Sequence, residues 1–167
     1  MAAQASFDVS TGADLQEVDN ALNQARKEIR QRYDFKGSNC VIEFDRSKAS
    51  ITLEADDEFR MNALWDVIQS KLVRRKVPLD NVTAGEDEPA AGGRVRRNVA
   101  LMQGLPADTA RAIVRDIRAQ GWKKTQAAIQ GDEVRVSSPS RDTLQAVIAF
   151  LKEQDYGVEL NFGNYRA

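Results

Sequence analysis

Histidine is absent from this 167-residue chain, cysteine occurs once and proline four times. Without histidine there is no side chain whose unperturbed pKa lies near neutrality, and the commonest metal ligand is missing, which counts against hydrolases and metalloenzymes. The one cysteine, Cys40, excludes an internal disulfide and agrees with a reducing compartment. No apolar run approaches the ~20 residues that span a bilayer. Residues 1–11 lack the basic and apolar regions of a secretory signal, so the sequence reads as cytoplasmic, with no membrane partner. A P-loop, a GxGxxG, a CxxC pair and an acid/base dyad are also missing. The expectation is a chain that is not an enzyme and carries no metal or cofactor.

An excess of one charge is lacking too. Lys and Arg number 24 against 25 Asp and Glu, a formal charge of −1, so binding to a polyanion must be local. What is present, 42% hydrophobic and 29% charged residues, suits a soluble globular fold. Ser6 to Val9 reads as a strand. Asp14 and Glu17 then open a helix in which Leu15, Val18, Leu22, Ala25 and Ile29 recur at spacings of three and four, ending near Arg32. Cys40 to Asp45 and Ala49 to Ala55 predict a hairpin, and Asp56 or Asp57 caps a second helix through Met61, Leu64, Trp65, Ile68 and Leu72. That helix must stop before Pro78, and Leu79 to Thr83 predicts a short strand.

The acidic, Gly- and Pro-bearing segment at 85–93 has the composition of an exposed linker, and a boundary is expected near it. Arg94 to Met102 then predicts a strand in which Arg97 breaks the alternation and needs an exit to solvent. Pro106 to Gly121 predicts a third helix, and Trp122 to Ile129 with Glu133 to Ser137 a second hairpin turning at Gly131-Asp132. Ser140 caps a last helix, and Val158, Leu160 and Phe162 alternate in a final strand. The order is βαββαβ written twice, with a faint echo at an offset of 83 residues between Ile51-Thr52-Leu53 and Val134-Arg135-Val136. The fold class is α+β, two tandem ferredoxin-like domains with one open sheet face each.

Arg30-Gln31-Arg32-Tyr33-Asp34-Phe35-Lys36-Gly37 concentrates cations, a carboxylate, two aromatics and a glycine where the first helix ends. An Arg fork suits phosphate or guanine, an aromatic suits a base, and Asp accepts from the guanine edge. The same residues also suit a helix C-terminus, a turn and a core Phe. RNA-binding domains of this architecture stack bases on strand aromatics, and Ile51-Thr52-Leu53-Glu54 and Glu133-Val134-Arg135-Val136 offer none. Basic clusters at 71–76, at Arg94, Arg96 and Arg97, at Arg111, Arg115 and Arg118, and at Lys123-Lys124 read first as solvated faces.

Ser6-Phe7-Asp8-Val9, Arg32-Tyr33-Asp34-Phe35-Lys36-Gly37, Gln103-Gly104, Ile129-Gln130-Gly131-Asp132 and Asn164-Tyr165-Arg166 together resemble the YajQ-like bacterial nucleotide-binding proteins, over essentially the whole chain. The resemblance implies exchanged N-terminal strands, with one domain over 11–103 and the other over 1–10 and 104–167. It implies nucleotide binding without catalysis (cyclic di-GMP, GTP or ATP), in some members cyclic di-GMP reception acting through a transcriptional regulator, and RNA as another partner. A pure protein-interaction module is the remaining alternative. The implied site is Arg32, Asp34, Phe35 and Lys36, with Phe35 either stacking or supporting the pocket, and Arg141, Asp142 and Arg166 follow by family position. Met102 and Ser138-Pro139-Ser140 stand where the family pattern has Lys and Gly-Lys-Lys, which removes three cations that could hold phosphates.

Overall fold

The computed structural model describes residues 4–167. Strand β1 (Ala5–Ser10) leads to α1 (Leu15–Gln31), β2 (Val41–Asp45), β3 (Ser50–Ala55), α2 (Glu58–Arg74), β4 (Val82–Ala84), the short β5 (Glu88–Pro89) and β6 (Val95–Leu101). Then come α3 (Ala107–Gln120), β7 (Gln126–Gln130), β8 (Glu133–Ser138), α4 (Arg141–Glu153) and β9 (Asn161–Arg166). Two compact units result, one of residues 13–103 and the other of residues 104–167 with the N-terminal segment to Gly12. Each is a helix pair on an antiparallel sheet, a mixed α+β architecture compatible with two ferredoxin-like domains.

In the 13–103 unit the strand order is β2-β3-β6-β4. The Asp14 carboxylate accepts from the Gln16 and Glu17 amides at 3.0 and 3.3 Å and so starts α1, and Asp57 accepts from the Arg60 amide at 2.8 Å to start α2. Alternation along β3 buries Ile51, Leu53 and Ala55 beneath Val18, Leu22, Leu64 and Ile68 of the helices. Thr52 and Glu54 are left on the opposite face, beside their β6 partners Asn98 and Arg96.

Arg97 lies opposite Leu53, and it finds a carboxylate where an exit to solvent is expected. Its Nε and Nη2 donate to Asp87 at 2.6 and 3.0 Å, and Nη2 also reaches Asn62 Oδ1 at 3.0 Å. Asp87 belongs to the acidic segment, which does not separate units: Glu88 and Pro89 form β5 against Arg96 and Val95. A partly buried ion pair thus links that segment to the sheet. The expected strand at Leu79 is instead a 3-10 turn over Leu79–Asn81 that precedes β4.

In the other unit the order is β7-β8-β1-β9. Phe7 and Val9 of β1 are fully buried with Val134, Val136, Ile113, Val147 and Leu151. Ser140 Oγ accepts from the Thr143 amide at 3.1 Å and starts α4, and Gly121 at φ +71° ends α3. The last strand begins at Asn161, later than the Val158-Leu160-Phe162 alternation suggests. A strand exists only where a neighbour supplies a ladder, and β1 ends at Ser10, the partner of Asn161. Gly104, at φ +89°, precedes α3, and a Cβ there would lie 2.2 Å from Asp132 Oδ2. That close approach accounts for the glycine of Gln103-Gly104.

Candidate functional site

Helix α1 stops because Arg32 turns to extended backbone at ψ 136° while its amide still donates to the Glu28 carbonyl at 2.9 Å. One 3-10 turn, Tyr33–Phe35, and Gly37 at φ +77° then return the chain toward β2. Five consecutive side chains, 32–36, are thereby splayed. Phe35, 4% exposed, enters the core, while Tyr33 stands 87% exposed. Arg32 Nε and Nη2 grip the two Asp34 oxygens at 2.9 and 2.6 Å, and the guanidinium carbon lies 5.3 Å from the Phe35 ring centroid. Lys36 Nζ is 6.0 Å from the Tyr33 centroid.

Arg32 also approaches Glu28 Oε2 at 3.6 Å, and the other Glu28 oxygen takes a 2.9 Å bond from the nearly buried Lys71. The guanidinium of Arg32 holds the Asp34 carboxyl below the usual carboxylate range, and Lys71 does the same for Glu28. Arg32 and Asp34 thus meet directly, and Lys36 lies beside Tyr33 in the same turn. Phe35 is buried with a guanidinium over its ring and offers no face to a base, so it can support the site but not stack. The exposed aromatic is Tyr33. An aromatic one residue before an acid in a helix-ending turn is the signal that identifies it.

Arg141, Asp142 and Arg166 belong to the other unit. Arg141 is the first residue of α4 and Arg166 the last of β9, and both line a cleft of about 310 Å³ with Ser6, Leu144, Gln145 and Tyr165. Asp142, in the first turn of α4, is not part of the cleft lining, and its charge suits the helix N-terminus. Beside this cleft is a group that residue-by-residue reading passes over. A bulge in the β1–β9 ladder, with Asn164 at φ +54°, brings Asn164 Nδ2 to 2.5 Å from Asp8 Oδ2. Arg135 Nε donates to Asp8 Oδ1 at 3.0 Å. Asp8 is 4% exposed, and the Arg135 bond, then Asn164, hold its carboxyl below the usual range against the opposing effect of burial.

Both clusters pair cations with an aromatic and hydrogen-bonding groups, the set that anchors phosphates and planar bases. A family model described as nucleotide-binding protein YajQ-like matches residues 5–166. A nucleotide-binding protein of Koribacter versatilis is 48% identical over 97% of both chains. One of Carboxydothermus hydrogenoformans is 46% identical over 99% of this chain and all of its own, and one of Nocardia farcinica 48% over 98% and 99%. With the match running from the first described strand to the last, the chain belongs to the YajQ-like family of nucleotide-binding proteins.

Proposed function

We propose that this chain binds a guanine nucleotide without transforming it, that the ligand is cyclic di-GMP, and that the complex signals through a transcriptional regulator in the cytoplasm. The observation that carries the reading is the Arg32–Asp34 pair flanked by exposed Tyr33 and by Lys36. Asp34 accepts from the guanine Watson–Crick edge, Tyr33 stacks on the base, Lys36 meets the phosphates, and Arg32 presents Asp34 and contributes a fork to the ligand. A surface ion pair is worth at most about 1 kcal/mol, so a ligand that replaces it loses little. Arg141 and Arg166, with Tyr165, form a second and weaker phosphate site, with Asp142 as a marginal member.

The same reading takes the domains as 11–103 and 1–10 with 104–167, their N-terminal strands exchanged. The sheet orders support it: β1 pairs with β8 and β9, and β6 with β3 and β4, each occupying the central position that a ferredoxin-like fold gives its first strand. RNA is the lesser reading, because the residues facing away from the helices on β3 and β6, Ser50, Thr52, Glu54, Arg96, Asn98 and Ala100, offer no ring to a base.

Calorimetry with cyclic di-GMP, GTP and ATP on the wild type and on Arg32→Ala, Asp34→Asn and Tyr33→Ala tests the assignment. Asp34→Asn removes a charged acceptor, an expected loss of roughly tenfold to a hundredfold for guanine ligands and little for ATP. Unchanged affinity in folded Arg32→Ala and Asp34→Asn removes this site.

A further inference from the structure

Strand β7 is the outer strand of its sheet, so one side of its backbone has no ladder partner. Which residues face outward follows from the hairpin. Gln130 pairs with Glu133 across the two-residue turn and closes the ladder, so the residues pointing out are the alternate ones, Ile129 and Ala127. Independently, the Ala127 carbonyl accepts from Arg118 Nη2, which lies on the α3 side and not on β8.

The corresponding edge of the 13–103 unit is treated differently. There Arg26 of α1 donates to the Ile42 carbonyl of β2 at 2.8 Å, a full hydrogen bond that occupies the edge. At β7 the Arg118 bond is 3.4 Å, close to the limit of such bonds, and the groove between α3 and β7 stays open at about 560 Å³. Ile129, 45% exposed, and Val114 form its apolar floor, and Arg111, Arg115 and Arg118 stand along one wall. Arg111 pairs with Asp108 and Arg115 with Asp116, neighbours on their own helix, and both guanidinium groups are exposed, so these pairs yield readily to another carboxylate.

We infer that the outer edge of β7 and the arginine face of α3 form a docking site for an extended, acidic segment of another protein, which adds to the sheet as a fifth strand. The backbone of the segment bonds to Ala127 and Ile129. Its alternate side chains are acidic and lie toward α3, where their carboxylates meet Arg111, Arg115 and Arg118 and their methylene stems cover Ile129, while the intervening side chains take the opposite face of the sheet. This inference does not depend on the nucleotide reading.

The test uses a ten-residue peptide of alternating Glu and Val, its Lys-Val counterpart, and a single-stranded oligouridylate of equal charge. Binding is read by anisotropy, and backbone placement by amide hydrogen exchange at Ile129. The Glu-Val peptide is expected to bind and to slow Ile129 exchange at least tenfold. The double variant Arg111→Glu, Arg115→Glu, both exposed on α3, is expected to weaken binding at least tenfold while melting like the wild type. Arg118→Ala keeps the ladder and leaves the edge freer, so the Ile129 effect persists in it. Equal binding of the Lys-Val peptide, binding that leaves Ile129 exchange unchanged, undiminished affinity in the double variant, no binding at millimolar peptide, or protection of Ile129 by the oligouridylate alone each overturns the proposal.

Discussion

Asp8 shows what a single side chain contributes. Its carboxyl is held in the charged form by Arg135 and then Asn164, so its folded pKa lies below the unfolded value of ~3.9. A group with a depressed folded pKa stabilises the fold above its unfolded pKa, and that stability is lost as pH falls through about 4 toward the folded value. Asp8→Asn is expected to cost about 1–3 kcal/mol at neutral pH, because Arg135 is left short of its acceptor. The variant should also flatten the stability profile below pH ~4, a difference readable in urea titrations at pH 3 and pH 7. An equally steep acid slope in the variant would place the acid sensitivity elsewhere. Asp8 is legible in sequence as a polar strand position. Its partners are not, because they lie 127 and 156 residues away and one of them arrives through a bulge.

At the scale of elements, the acidic segment at 85–93 illustrates how composition can be read correctly and its use missed. Glycine, proline and acid do mark an irregular surface stretch, and Arg97 does break the alternation of β6. That the two anomalies cancel is a tertiary fact: Asp87 neutralises Arg97 where it shares a face with Leu53. Asp87→Ala is expected to destabilise the chain by about 1–3 kcal/mol by leaving a shielded guanidinium without its carboxylate. Arg97→Met with Asp87→Ala should recover most of that loss, since two apolar replacements leave no unmatched charge. Thermal unfolding of the two variants checks it, and a double variant no more stable than Asp87→Ala would contradict it. Helix starts were the most legible features, because Asp14, Asp57 and Ser140 cap through contacts two or three residues away.

For the whole molecule, element order is written in the hydrophobic periodicity, but sheet membership is not. A strand pattern specifies which face is buried and says nothing about which sheet receives it. In the structure β1 lies between β8 and β9 although residues 13–103 separate it from them in the chain, and β6, the last strand of the 13–103 run, lies between β3 and β4. A fragment of residues 13–103 contains all of β2, β3, β4 and β6 and is expected to fold. A fragment of residues 1–90, ending in the segment whose composition suggests a boundary, lacks β6 and is expected to be unfolded by circular dichroism and amide dispersion. Cooperative folding of 1–90 would contradict the role given to β6.

The functional reading rests on the turn at the end of α1. The family supplies the expectation of nucleotide binding, and the local geometry identifies Tyr33, not the buried Phe35, as the aromatic available to a base. Titration of the nitrogen-15-labelled chain with cyclic di-GMP, followed by amide shifts, tests this most directly. Saturable shifts concentrated at residues 32–37, with smaller ones near Arg141 and Arg166, are expected. Saturation with the amides of 32–37 unmoved, or no shift anywhere at millimolar ligand, would contradict it.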